Sequence, residues 1–149
     1  MKYFLPALCL ALLASCSPRE KSVATPSSSP VHIKGAEPLH IAHGQTVNLA
    51  DYVVPGKTTI FDFTSKYCGP CQAYNEPLAL LHTQRDDIVV VKVDINRPET
   101  KGIDWKSPVA QQYRMNSIPH FKVYGPDGKL ISEGKPGRAL VHKFIEELK

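Results

Sequence analysis

Residues 61–71 read FDFTSKYCGPC, and the fold is decided by what happens at the end of that stretch. Thr58, Thr59, Ile60, Phe61 and Phe63 have the β-branched and aromatic character of a strand. Helical spacing begins directly after Cys68-Gly69-Pro70-Cys71, so the cysteine pair sits where a strand feeds a helix N-terminus. First-turn N–H groups have no intrahelical partner and the helix dipole is positive there, which favours a thiolate at Cys68. Pro70 suits a first turn, where its missing N–H would have had no acceptor. Cys71 lies one turn further in, and three-residue spacing brings the two side chains to about 5 to 6 Å, within reach of an S–S bond. The pair reads as a dithiol that cycles with a disulfide. As a mere staple it would close only four residues, a contribution of about 2 kcal/mol. A structural zinc site needs about four ligands, and there is no second CxxC in the chain.

Two charges interrupt otherwise apolar strand runs. Asp62 lies inside the first, and Lys92 lies inside residues 88–95, IVVVKVDI, a run of the kind covered by helices on both faces. An unpaired buried charge is costly, so each needs a partner or a task. Burial would raise the Asp62 pKa toward the range of a general base, and Lys92 would oppose that rise.

From about residue 57 to 149 the chain resembles the thioredoxin family. The resemblance rests on Asp62-Phe63, Cys68-Gly69-Pro70-Cys71, Lys92 on the next strand and Ile118-Pro119 before a further strand. It implies an α/β, thioredoxin-like fold, a central mixed sheet flanked by helices on both faces, and thiol-disulfide oxidoreductase activity needing no cofactor. Cys68 would attack a substrate disulfide and Cys71 would resolve the mixed disulfide, giving its proton to Asp62 with Lys92 nearby. The resemblance also implies a cis peptide before Pro119, and a substrate surface made of Tyr67, Gly69, Pro70, Ile118, Pro119 and His120. Protein thiols or disulfides are the implied partners. The Gly69-Pro70 dipeptide implies a reducing or isomerising role, which calls for a redox partner delivering electrons. This chain departs from the family pattern at Tyr67, where tryptophan is usual, at His120, where a small polar residue is usual, and at Pro77, which lies six residues after the second cysteine rather than five. Two rival readings remain: a Cu(I)-binding or metallochaperone module using Cys68, Cys71 and His120, and a redox-inert interaction module.

The N-terminus is read separately. Lys2, the apolar run Tyr3 to Leu13 and the small residues after it form a secretory signal over residues 1–15, too short to span a bilayer. Leu13-Ala14-Ser15-Cys16 is similar to a bacterial lipobox, which makes Cys16 the lipidated first residue of the mature chain. Cys9 leaves with the signal, so Cys68 and Cys71 are the remaining thiols. Residues 16–36, rich in Ser and Pro, read as a flexible tether, and residues 37–149 as the folded domain. The expected address is the cell envelope, facing the periplasm, and Ser17 after the lipidated cysteine favours the outer membrane. Without Lys2 there are 17 basic against 14 acidic residues, a net of about +3 spread along the chain, which is no nucleic-acid footprint. A monomer is expected.

The remaining elements follow from turn and cap signals. Short strands are expected at Leu39 to Ile41 and Val47 to Leu49, with a helical turn from Ala50 to Val54. His40 and His43 lack a third metal ligand and read as solvated side chains. A helix from Cys68 to about Thr83 must be kinked by Pro77. Trp105, in the loop 97–106, is expected to cap the core. Ser107 caps a helix opening at Pro108 and running to about Arg114. A hairpin joins Phe121 to Tyr124 with Lys129 to Glu133 through Gly125-Pro126-Asp127-Gly128. The last helix is expected to start near Gly137, with Leu140, Val141, Phe144, Ile145 and Leu148 on one stripe.

Overall fold

The computed structural model describes residues 34–149. The signal at 1–15, Cys16 and residues 16–33 of the tether lie outside the described residues. Five strands form one mixed sheet in the order β1-β3-β2-β4-β5, with β1 at Leu39–Ile41, β2 at Thr58–Thr64, β3 at Ile88–Asp94, β4 at His120–Tyr124 and β5 at Leu130–Glu133. β1 and β2 both run parallel to β3, while β4 is antiparallel to β2 and β5 to β4. β2 is the central strand, and its side chains are buried from Thr59 to Thr64.

Alternation along β2 and β3 feeds two cores. Phe61, Phe63, Val89, Val91 and Val93 face one side, against Leu49 and against Val109 and Ala110 of α3 (Pro108–Gln112). Ile60, Ile88 and Val90 face the other, joined by Phe121 and Val123. There they meet Leu78 and Leu81 of α2 (Asn75–Gln84) and Val141 of α4 (Gly134–Glu146). Each such side chain taken fully from water contributes about 1.5–3 kcal/mol, so these two layers carry the stability of the domain. Of the expected stripe, Leu140, Phe144 and Ile145 of α4, with Leu148 just past its end, pack on this second core with Val141.

Several boundaries differ from those expected, each for a physical reason. Val47 to Leu49 is not a strand: the side chain of Gln112 accepts from the Val47 N–H (3.0 Å) and donates to its carbonyl (2.9 Å), supplying what a neighbouring strand would have supplied. The helical turn nearby is a 3₁₀ turn, Leu49–Tyr52. The helix expected from Cys68 to Thr83 is two helices, α1 (Gly69–Gln72) and α2. Pro77 donates nothing to the Ala73 carbonyl and crowds it, so the chain breaks at Ala73-Tyr74. α3 stops at Gln112, because Arg114 takes a positive φ of 51°. α4 opens at Gly134, three residues earlier than expected, which puts Pro136 in the first turn where its lack of an N–H costs nothing.

β1 pairs with only three residues of β3, and side chains cover the rest of that edge. His82 Nδ1 accepts the Val90 N–H (3.0 Å), and Lys34 Nζ donates to the Ile88 carbonyl (3.1 Å). The 97–106 loop is held by buried Asp104, which accepts from Arg97 Nε (2.7 Å), Arg97 Nη2 (3.1 Å) and Thr100 Oγ1 (3.1 Å). Trp105 of this loop packs against the first core.

α4 approaches β4 through Gly137, where a Cβ would lie 2.7 Å from the Phe121 carbonyl oxygen. Gly137→Ala must therefore push the helix off the sheet. Its denaturation midpoint is expected to fall by the equivalent of about 1–3 kcal/mol with an unchanged slope. A midpoint equal to the wild type's would show that the contact yields freely.

Candidate active site

Cys68 and Cys71 are joined in a disulfide, with Cα atoms 5.2 Å apart. Cys68 is the N-cap of α1 in extended conformation, its sulfur accepting the Cys71 N–H at 3.2 Å, and Pro70 stands in the first turn. This is the strand-to-helix junction read from the sequence. Cys68 is 3% exposed and Cys71 0%, so the outer sulfur is the one attack from solvent reaches. Gly69 and Pro70 are exposed beside it. Tyr67 is 41% exposed, with Lys66 Nζ 5.2 Å from the centre of its ring.

The turn that delivers Cys68 depends on Ser65, which the sequence does not single out. The Ser65 carbonyl accepts the Cys68 N–H (3.0 Å) and Gln72 Nε2 (3.2 Å), and its hydroxyl accepts the Tyr67 N–H (3.1 Å). Three bonds on one residue tie the end of β2 to the start of α1.

Asp62 is fully buried, and both carboxylate oxygens lack a hydrogen-bond partner among the described residues. It shares the α2–α4 face of the sheet with Ile60, two residues earlier on β2. Lys92 is its register partner on β3 and Phe121 its partner on β4. Burial pushes Asp62 up to about 7, and the Lys92 charge opposes the rise. Lys92 is pushed down by its own burial, with Asp62 opposing. The Lys92 ammonium donates to Asn75 Oδ1 at the start of α2. Asn75 escapes sequence reasoning, since only the helix break places it over β3. His40, the register partner of Lys92 on β1, lines a polar cleft with Asn75 and Lys92.

The peptide Ile118-Pro119 is cis. The β2–β4 ladder ends at Phe63 and His120, and one further step along the antiparallel register sets Pro119 beside Thr64. The proline therefore stands at the end of the sheet that carries the disulfide. Arg138 of α4 donates from Nη2 to the Pro119 carbonyl at 2.8 Å, a contact without a sequence signal. His120 takes the opposite face from Asp62: its ring meets Phe63 edge-on at 5.9 Å. Burial, Lys122 and Arg138 lower its pKa against the pull of Glu133, leaving a neutral imidazole at pH 7. The copper reading needs Cys68, Cys71 and His120 together. Among the described residues no three His, Cys, Asp or Glu side chains converge as metal ligands, and both sulfurs are in the disulfide.

Residues 41–147 match the family model described as Thioredoxin. A thioredoxin from Geodia cydonium is 29% identical over 77 residues, covering 52% of this chain and 64% of that protein. A protein disulfide-isomerase from Triticum aestivum is 28% identical over 106 residues, covering 68% of this chain and 19% of that protein. The chain thus spans less than two thirds of the length of these two relatives. Among solved structures, a mutant thioredoxin from Halobacterium salinarum superposes with a TM-score of 0.52 at 23% identity, covering 76% of this chain and 93% of that one.

The Asp62 shift fixes a pH dependence of stability. An acid whose pKa is raised on folding, here from 3.8 to about 7, stabilises the fold fully below pH 3.8, and that contribution is lost as pH rises through 7. At pH 8 the buried carboxylate then costs on the order of 4 kcal/mol, at about 1.36 kcal/mol per pKa unit. Asp62→Asn is expected to raise the unfolding temperature at pH 8 much more than at pH 4. Equal effects at the two pH values would contradict the assignment.

Proposed function

The chain belongs to the thioredoxin family, and from that premise we propose that it is a thiol-disulfide oxidoreductase, tethered to a membrane by lipid on Cys16, that reduces or isomerises substrate disulfides. The observation that carries the reading is the buried carboxylate of Asp62 on the strand that ends in the Cys68–Cys71 pair. In the reduced protein the Cys68 thiolate attacks one sulfur of a substrate disulfide, and the other substrate sulfur leaves as thiolate. Cys71 then gives its proton to Asp62 and attacks the Cys68 sulfur. The second substrate sulfur leaves, the internal disulfide closes, and two electrons have passed to the substrate. A dithiol donor must return the pair to its reduced form.

The direction of electron flow is argued from charge. A protonated imidazole beside Cys68 would stabilise its thiolate and make the pair more oxidising. Burial above all lowers the His120 pKa, so at neutral pH its imidazole is mostly uncharged and supplies little such pull. The buried carboxylate of Asp62 disfavours the Cys68 thiolate, which makes the dithiol a better donor.

Three experiments test this proposal. Cys71→Ser, reduced and mixed with a disulfide-bonded peptide, is expected to accumulate a mixed disulfide at Cys68 by mass spectrometry. In an otherwise intact protein, Asp62→Asn is expected to slow closure of the internal disulfide by about a hundredfold or more, and formation of the mixed disulfide far less. Absence of the trapped species would overturn the activity, and unchanged closure would remove Asp62 from it. For the tether, Cys16→Ser is expected to move the protein from the membrane to the soluble fraction, because buried acyl chains contribute about 0.8 kcal/mol per CH₂. A wild type already soluble would refute the lipid anchor.

A further inference from the structure

Arg138 is a half-buried cation without an anion. Its Nη2 bonds the neutral carbonyl of Pro119, its Nε is buried with no partner, and no carboxylate among the described residues pairs with it. A guanidinium withdrawn this far from water is costly unless something charged meets it. It stands beside the cis-Pro119 turn, at the disulfide end of the sheet. Lys66, two residues before Cys68, is exposed beside the ring of Tyr67 and is likewise unpaired among the described residues.

The carboxylates at this end are otherwise engaged or set to one side. Asp104 is held by Arg97 and Glu133 by Lys122. Asp94 lines a cleft with both Lys92 and Lys66 without an ion pair to either, Glu76 stands on the first turn of α2, and Glu99 is on the 97–106 loop. At the opposite end Arg85 is paired with both Asp87 and Glu147 and Lys129 with Asp127, while Lys34 and Lys57 donate to the backbone carbonyls of Arg85, Ile88 and Asp86.

We propose that the surface around the disulfide docks an acidic polypeptide segment next to the substrate's disulfide, with Arg138, beside the Pro119 turn, and Lys66, two residues before Cys68, receiving carboxylates. This rests on the oxidoreductase reading above and adds the class of substrate. A polypeptide fits better than an anionic bilayer. Tyr67 is the sole large exposed apolar side chain near the disulfide among the described residues; Leu80, Leu130 and Ile131 lie on α2 and β5. One aromatic ring gives little to insert into lipid.

The test uses the full mature chain, with excess dithiothreitol as donor, on three disulfide-bonded peptides that differ only in Glu, Gln or Lys flanks. At about 0.01 M salt, where charges reach across about 30 Å, the Glu peptide is expected to exceed the Lys peptide about tenfold in kcat/KM, the difference lying in KM. Near 1 M salt that ratio is expected to fall toward one. Arg138→Gln and Lys66→Gln are each expected to shrink the ratio, and Arg138→Lys to keep most of it. Glu and Lys peptides reduced equally, or a ratio intact in the double variant, would overturn the docking proposal while leaving the activity standing. No reduction of any of the three would overturn the activity itself and the docking proposal with it. Tight binding of the unlipidated Cys16→Ser chain to phosphatidylglycerol vesicles, lost in the Arg138→Gln, Lys66→Gln double variant and without peptide discrimination, would assign these cations to a lipid surface instead.

Discussion

A carboxylate without a hydrogen-bond partner sits in the middle of the central strand, and the β2–β3–β4 ladder is what keeps it there. Asp62 faces Lys92 on one side and Phe121 on the other. Side chains alternate along a strand, so a one-residue slip of β2 would carry Asp62 into the core of Phe61 and Phe63 and send those rings to the α2–α4 face. The same register that packs both cores therefore sets the position of the acid. The strand's next residues, through the bonds to Ser65, set the position of the cysteines. Core, buried acid and sulfur pair are consequences of one ladder.

The break at Ala73-Tyr74 adds a second dependence. An unbroken helix would hold the cysteines and the core residues Leu78 and Leu81 on one rigid axis. Separated by Pro77, α1 keeps the cysteines buried at the sheet end, while α2 starts afresh at Asn75, whose side chain reaches Lys92. Tyr74 at the break packs edge-on against Phe121 at 5.0 Å and bonds His142 of α4 at 2.7 Å. The proline thus allows two demands, a helix N-terminus at the sulfurs and a polar cap over Lys92, to be met by one stretch of chain.

Much of this could be read from residues alone, where local chemistry decides the outcome. The strand–CGPC–helix junction, the buried pair Asp62 and Lys92, the Ser107 cap and the α4 stripe each follow from a propensity or a cost that acts within a few residues. What was not legible depends on contacts between distant segments. Val47 is satisfied by Gln112, 65 residues away, so its strand-like sequence forms no strand. Arg138 and Asn75 carry no local signal, because their role arises only when α4 meets the Pro119 turn and α2 meets β3.

The electrostatics of the proposed cycle show why one interior carboxylate and one interior lysine suffice. With Cys68 as thiolate, a neutral Asp62 leaves a single negative charge in the site. As Cys68 enters the mixed disulfide its charge leaves with the first substrate thiolate, and Asp62, with a pKa near 7, gives its proton to that thiolate or to water, so the negative charge then resides on Asp62. When Cys71 yields its proton to Asp62, the charge passes to the Cys71 sulfur, and it departs with the substrate thiolate. At no stage do two like charges share the low-dielectric interior, where their repulsion would be severe. That economy requires Asp62 to change protonation near the working pH. Burial provides this by raising its pKa to about 7, and Lys92, held by Asn75, keeps the rise from going further.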